Sequence, residues 1–149
     1  MLVLGLDTTT AEGSCALARH GELLEVRVGD PAVAHAARLP AELLALLAWH
    51  GATLGDVDVM AVAIGPGSFT GLRIGIATMQ GLALVRGVGI AALSVLDALA
   101  FAGARHAGRG CRFVGVITDA QRGDVYFAFY ELAAEPKYTS PRWASVITS

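Results

Sequence analysis

The chain has 149 residues, enough for one domain or for one domain with part of a second. With 54% hydrophobic and only 16% charged residues, it has the composition of a folded, well-buried protein, which excludes an intrinsically disordered chain. A formal net charge of -2, with 11 scattered basic residues and no basic cluster, argues against nucleic-acid binding by this chain alone, because phosphate neutralisation supplies most non-specific affinity.

The first elements follow from the apolar runs. Leu2 to Leu6 is a short apolar run closed by Asp7 and reads as a buried strand. Asp7-Thr8-Thr9-Thr10 with Glu12-Gly13 is a polar turn. Ser14 to Ala18 and Leu23 to Val28 are two further strands, joined by a hairpin at His20-Gly21. Ala34 to His50 is helical, with Leu39, Leu43, Leu46 and Leu47 forming one apolar stripe and Gly51 as a fitting stop. Pro40 sits either in the first turn or inside a helix that starts earlier.

Val57 to Ile64 is apolar throughout and reads as a strand buried on both faces. Gly65-Pro66-Gly67-Ser68 is a sharp turn, with Ser68 as N-cap of a helix over about Phe69 to Val85. Gly71, Gly75, Ala77 and Gly81 line that helix. Each helical Gly costs about 1 kcal/mol relative to Ala, so a closely approaching helix or strand is expected. Val88 to Ala92 is a strand and Val95 to Ala104 a helix. The Gly103 to Gly110 stretch reads as a linker. Arg112 to Asp119 and Val125 to Leu132 are two strands around Gln121-Arg122-Gly123-Asp124, before the breaks at Glu135-Pro136-Lys137 and Ser140-Pro141. Trp143 to Ser149 reads as the edge of a further strand. The order predicts an α/β fold with a mixed sheet.

The uncharged run Val59 to Leu72 carries Gly65-Pro66-Gly67 and falls short of the about 20 apolar residues of a spanning helix, so no membrane partner is expected. Asp7 interrupts the apolar opening and no basic region precedes it, so the expected location is the cytoplasm. Cys15 and Cys111 lie far apart, match neither a disulfide framework nor a zinc pattern, and read as small core residues in a reducing compartment.

Three stretches carry a family resemblance. They are Leu4-Gly5-Leu6-Asp7-Thr8-Thr9; Ile64-Gly65-Pro66-Gly67-Ser68-Phe69-Thr70-Gly71-Leu72-Arg73-Ile74-Gly75 with Gln80-Gly81-Leu82-Ala83; and Asp119-Ala120-Gln121-Arg122-Gly123-Asp124-Val125-Tyr126. In this order and spacing the chain resembles the TsaB (YeaZ-like) family over nearly its whole length. The resemblance implies an actin/sugar-kinase/heat-shock-ATPase-like (ASKHA) fold, with a lobe over residues 1–105 and the beginning of a second, incomplete lobe over 106–149. Family members are longer, so a chain truncated at its C-terminus is expected. The implied role is that of a non-catalytic subunit supporting a TsaD-like catalytic paralogue, which forms N6-threonylcarbamoyladenosine at position 37 of tRNAs. A TsaE-like ATPase binds the pair, and tRNA is met only through the complex.

Two enzyme readings stand beside the scaffold: a glycoprotease-like peptidase, after the older family label, and a kinase-like nucleotide-binding enzyme. Catalytic paralogues carry a HHMEGH stretch after the fifth strand. Here it aligns with Leu93-Ser94-Val95-Leu96-Asp97-Ala98, which puts Ser94 and Ala98 at the ligand positions. Ala has no donor atom, and none of the four histidines has a partner at i+4. No catalytic or metal residues are therefore assigned. Asp7, Thr8 and Thr9 are the candidate phosphate loop of a nucleotide site, against the plainer reading of a turn whose side chains satisfy local backbone groups. No other cofactor is implied. Gly65, Pro66, Gly67, Ser68, Phe69, Thr70 and Gly71 are either an anion site at a helix start or a tight strand-to-helix turn.

In the family the two matching helices pair with the same helices of a partner. That makes Leu39, Leu43, Leu46, Leu47, Arg73, Ile74, Ala77, Thr78 and Gly81 the candidate interface, for the TsaD-like subunit or for a homodimer. The plainer reading is that both helices only cover the sheet. Arg73, charged in an apolar neighbourhood, either pairs across the interface or reaches water.

Overall fold

The computed structural model describes residues 1–108, 110–121, 124–132 and 143–147, with Gln121 and 143–147 described by backbone alone. Arg122 and Gly123 of the expected turn lie outside the described residues, as do the breaks at Glu135-Pro136-Lys137 and Ser140-Pro141. The chain divides into two compact units, Met1–Leu93 and Ser94–Ser149.

The first unit is a five-stranded mixed sheet with two helices. Strands β1 (Leu2–Asp7), β2 (Ser14–Arg19) and β3 (Glu22–Val28) form an antiparallel meander. Helix α1 (His35–Trp49) leads to β4 (Val59–Ala63), and helix α2 (Phe69–Arg86) to β5 (Gly89–Leu93). The sheet order is β3-β2-β1-β4-β5, with β4 parallel to both β1 and β5.

Register puts Leu4 of β1 beside Leu17 of β2 and Met60 of β4. Leu2, Leu4, Leu6, Cys15, Leu17, Met60 and Val62 thus share one face, and with α1 and α2 they form the core. Burying each of the larger side chains contributes about 1.5–3 kcal/mol. Val59, Ala61 and Ala63 of β4 are only half-buried, so this strand is not closed on both faces as its apolar run suggested.

Helix α1 starts before Pro40, which lies inside it on the exposed side. There the carbonyl that lacks a proline N–H partner can meet water. Gly51, at φ +64°, ends the helix, and Ala52 N–H donates to Leu47 O. Ser68 caps α2, its Oγ accepting the Gly71 N–H at 3.2 Å. Gly87, at φ +65°, closes the helix. A single 3₁₀ turn, Leu54–Asp56, precedes β4, and its Leu54 carbonyl accepts Arg86 Nε–H at 2.9 Å.

The second unit holds helix α3 (Val95–His106) and the antiparallel strands β6 (Phe113–Gln121), β7 (Asp124–Glu131) and β8 (Trp143–Ile147). Leu96 and Ala100 of α3 pack with Val116, Ala128 and Tyr130, and Tyr130 Oη donates to Asp97 Oδ1 at 2.7 Å. The division therefore falls between Leu93 and Ser94 rather than after residue 105, because α3 buries its apolar side on the second sheet. Helix α3 also runs into the glycine-rich stretch read as a linker. The Trp143–Ile147 segment is a strand, paired with β7. Cys15 is buried as expected, and burial pushes its thiol up. Cys111 is exposed, its Sγ against the Phe113 carbonyl, and is not a core residue.

Candidate partner-binding site

The end of β1 and the start of α2 meet at one turn. Asp7 Oδ1 accepts the Thr9 N–H at 2.8 Å, which folds the chain back directly after the strand. Thr9 O then accepts the Ser68 N–H at 2.8 Å, tying the turn to the cap of α2. This approach is so close that only glycine fits at positions 67, 71 and 75. A Cβ on Gly67 would lie 2.4 Å from Thr9 Cβ, one on Gly71 2.1 Å from Thr8 O, and one on Gly75 2.1 Å from Thr8 Oγ1. Thr8 is 0% and Thr9 8% exposed.

The close neighbour of Gly71 and Gly75 is a turn of the same unit, where a helix or strand was expected. Thr8 Oγ1 is buried against Gly75 of α2, so the Thr8 hydroxyl is not presented to a phosphate, while Thr9 lies against Gly67. Asp7 holds the turn. Gly65-Pro66-Gly67-Ser68 is a tight strand-to-helix connection, with Gly65 at φ +101° and a cis Gly65–Pro66 bond. Ser68 Oγ takes the Gly71 N–H that an anion site at the helix start would offer.

A buried arginine, missed as a candidate, holds the other side of the turn. Arg38 is 7% exposed. Its guanidinium donates to Val33 O at 3.1 Å, to Glu12 O, and to Glu42 Oε2 at 2.6 Å. Arg38 Nη2 also lies 2.8 Å from His35 Nδ1, and His35 Nε2 lies 3.0 Å from Thr10 O. Arginine can only donate, so Nδ1 accepts and the ring proton sits on Nε2, where it donates to Thr10 O. Gly29 leaves room for the guanidinium, which a Cβ there would overlap. The signal was in the sequence: His35, Arg38, Leu39, Glu42, Leu43, Leu46 and Leu47 continue one helical stripe.

The leucine stripe expected to meet a partner is the core face of α1. Leu39, Leu43 and Leu47 are 1% exposed and Leu46 0%. These four residues cover the sheet and offer nothing to a second chain. The outward side of α1 carries Ala37, Ala41, Leu44, Ala45, Ala48 and Trp49, all uncharged, with Leu44 51% and Trp49 76% exposed.

Helix α2 carries the other residues expected at a partner contact. Arg73, Ala77 and Gly81 are exposed, while Ile74 and Thr78 are half-buried, Thr78 Oγ1 donating back to Ile74 O at 2.8 Å. Phe69, Arg73, Ala77, Gly81 and Leu84 recur at spacings of four and three, so they share one outward stripe. Phe69 is 73% and Leu84 84% exposed. Arg73 is the one exposed charge on the helix, its guanidinium 5.5 Å from the Phe69 ring centroid. Gly81, unlike Gly71 and Gly75, has nothing among the described residues within 4 Å of where a Cβ would stand. Thr70 is exposed beside Phe69 in the first turn.

Nothing in the aligned metal stretch gathers ligands. Ser94 caps α3 by accepting the Asp97 N–H, and Ala98 lies in that helix. Among the described residues no group of three His, Cys, Asp or Glu side chains converges as a metal site would require, and no helix is long and apolar enough to cross a membrane.

A family model described as "TsaD: tRNA N6-adenosine threonylcarbamoyltransferase" matches residues 30–139. The tRNA threonylcarbamoyladenosine biosynthesis protein TsaB of Escherichia coli K12 is 36% identical over 131 residues, covering 88% of this chain and 55% of its own length. The chain belongs to this family, in its TsaB/YeaZ-like branch. An uncharacterised Mycobacterium tuberculosis protein is 36% identical over 133 residues, covering 86% of this chain and 58% of its own length. The solved structure of YeaZ from Pseudomonas aeruginosa superposes with a TM-score of 0.78 at 34% identity, covering 98% of this chain and 66% of that one. The TsaB/YeaZ-like fold, a mixed five-stranded sheet flanked by helices, is thus the one read from the motif order. The chain spans between half and two-thirds of the length of these relatives.

Proposed function

We propose that this chain is a non-catalytic supporting subunit in the formation of N6-threonylcarbamoyladenosine on tRNA. It offers the outward stripe of α2, with the neighbouring uncharged side of α1, to a TsaD-like catalytic subunit. A TsaE-like ATPase joins that pair, and tRNA is met through the assembly, consistent with the net charge of -2. Without its partner, the same α2 stripe pairs two copies of the chain. The reading has the protein working in the cytoplasm.

The observation that carries this reading is the exposed stripe Phe69, Arg73, Ala77, Gly81 and Leu84. A fold of this size can bury large apolar side chains, yet this helix turns Phe69 and Leu84 outward at 73% and 84% exposure. Such a patch, with a small residue at its centre to admit a close helix, fits a protein–protein contact. Support for the absence of chemistry comes from Ser94, whose hydroxyl is committed to capping α3. The relatives named TsaB support the pathway.

The test is co-elution of the chain with a TsaD-like partner on a sizing column, beside Leu84→Asp and Gly81→Leu variants. A stable complex with the parent chain and its loss in both variants is expected. A complex that survives both substitutions moves the contact off α2. No complex at all with a folded chain removes the scaffold reading.

A further inference from the structure

Strand β3 is an edge of the five-stranded sheet, its outer side unpaired among the described residues. Exposed edges are usually blunted by Lys, Pro or charges aimed along the free rim. This edge instead shows Leu23, Leu24, Val26 and Val28 at 65%, 37%, 50% and 70% exposure. A register shift opposite Leu17 and Ala18 leaves Leu24 as the extra residue, so the regular ladder runs over Glu25, Val26, Arg27 and Val28.

The two faces of this segment differ. Val26 and Val28 lie on one, and Glu25 and Arg27 on the other, by the alternation of a strand. Glu25 Oε1 accepts Arg27 Nε–H at 2.7 Å, and Glu25 Oε2 is 2.7 Å from His50 Nε2. The Arg27 guanidinium stands 6.0 Å from the Trp49 ring centroid. Among the described residues only Nε of Arg27 is engaged by an acceptor, so its Nη groups are available to donate to another carboxylate.

Glu25-Val26-Arg27 reads as an antiparallel self-complement about Val26. With a second copy laid against it so that Val26 meets Val26 on one side of the joined sheet, Glu25 of each copy faces Arg27 of the other on the opposite side. Centring the pair on Glu25 or on Arg27 opposes like charges instead, and centring it between residues sets charges against apolar side chains. Directly opposed like charges are unfavourable and opposed unlike charges favourable. Charge therefore selects one register, and the exposed β-branched residues suit the strand pairing itself.

We propose that β3 is a self-pairing edge, through which two copies of this chain join antiparallel about Val26 into one continuous sheet. Glu25 and Arg27 form reciprocal ion pairs across the two-fold axis. The contact uses no residue of α2, so it leaves the partner stripe free and stands whether or not the supporting-subunit reading holds.

The test is sedimentation of the full chain over a range of concentrations in a Leu84→Asp background, which silences the α2 stripe. Four further variants are compared: Glu25→Arg, Arg27→Glu, the exchange carrying both, and Val26→Lys. Each single reversal turns two attractive pairs into two repulsive ones and is expected to weaken dimerisation about tenfold or more. The exchange restores the charge match and the dimer. Val26→Lys, at a position already half exposed, sets lysine against lysine and abolishes the dimer while circular dichroism shows an unchanged fold. A chain that stays monomeric in the Leu84→Asp background, a dimer indifferent to Val26→Lys, or reversals that the exchange does not rescue each overturn the proposal.

Discussion

Gly75 faces Thr8 so closely that a Cβ on the glycine would stand 2.1 Å from the threonine Oγ1. This contact decides the sign of a helix substitution. In an exposed helix interior, Gly→Ala stabilises by about 1 kcal/mol. At Gly75 the added methyl has to displace the buried Thr8 side chain, so Gly75→Ala is destabilising, and so is Gly71→Ala against the Thr8 carbonyl. Gly81→Ala meets open space and stabilises the free chain by up to about 1 kcal/mol. Denaturant unfolding of the three variants measures this contrast. A stabilising Gly75→Ala would contradict the packing described.

Arg38 anchors the Thr10 to Glu12 backbone to α1, through its own bonds and through His35. Removing it leaves the Val33 and Glu12 carbonyls without this donor and the Glu42 carboxylate without its partner. Arg38→Met is expected to cost about 2–4 kcal/mol, read from the urea midpoint. His35→Ala removes only the outer link and costs less, about 1 kcal/mol.

The two sides of α1 respond oppositely to charge. Leu43→Asp puts a carboxylate into the core at a position 1% exposed, and the variant does not fold. Leu44→Asp, one residue on and 51% exposed, keeps the parent melting temperature within a few degrees. Any effect of Leu44→Asp then appears in binding alone. Measuring thermal unfolding beside partner co-elution separates the two quantities.

Acid titration follows from two carboxylates. Hydrogen bonds from the Thr53 side chain and then its backbone hold the Asp56 carboxyl below its usual range. The bond from the Arg27 guanidinium, followed by that from His50, does the same to Glu25. A depressed folded pKa means that the unfolded chain binds protons first as pH falls. The stabilisation is therefore fully present above the unfolded pKa and is lost as pH drops through the folded pKa. Asp56→Asn and Glu25→Gln should lower stability at neutral pH and flatten its fall through the carboxylate range. An acid limb of unchanged slope in both variants would remove these two groups as its source.

Much of the fold is legible in the order of residues alone. Alternating leucines, the Ser68 cap and the Gly51 stop are local signals, acting within a few residues, so the sequence carries them openly. The GPGSFTGLRIG stretch carries the family for the same reason. What the chain by itself could not settle was which face of a periodic helix meets the core. The spacing of Leu39, Leu43, Leu46 and Leu47 marks one apolar stripe, but a stripe looks alike whether it covers a sheet or a second protein. Placed on the sheet, those leucines became core, and the stripe left exposed is Phe69, Arg73, Ala77, Gly81 and Leu84. The glycines of α2 divided in the same way. Gly71 and Gly75 answer to Thr8, more than sixty positions earlier in the chain, while Gly81 meets nothing among the described residues. Hydrophobic period and turn chemistry are written in neighbouring residues and can be read there. Close approach and exposure depend on which distant segments the sheet brings together, and only the tertiary structure decides them.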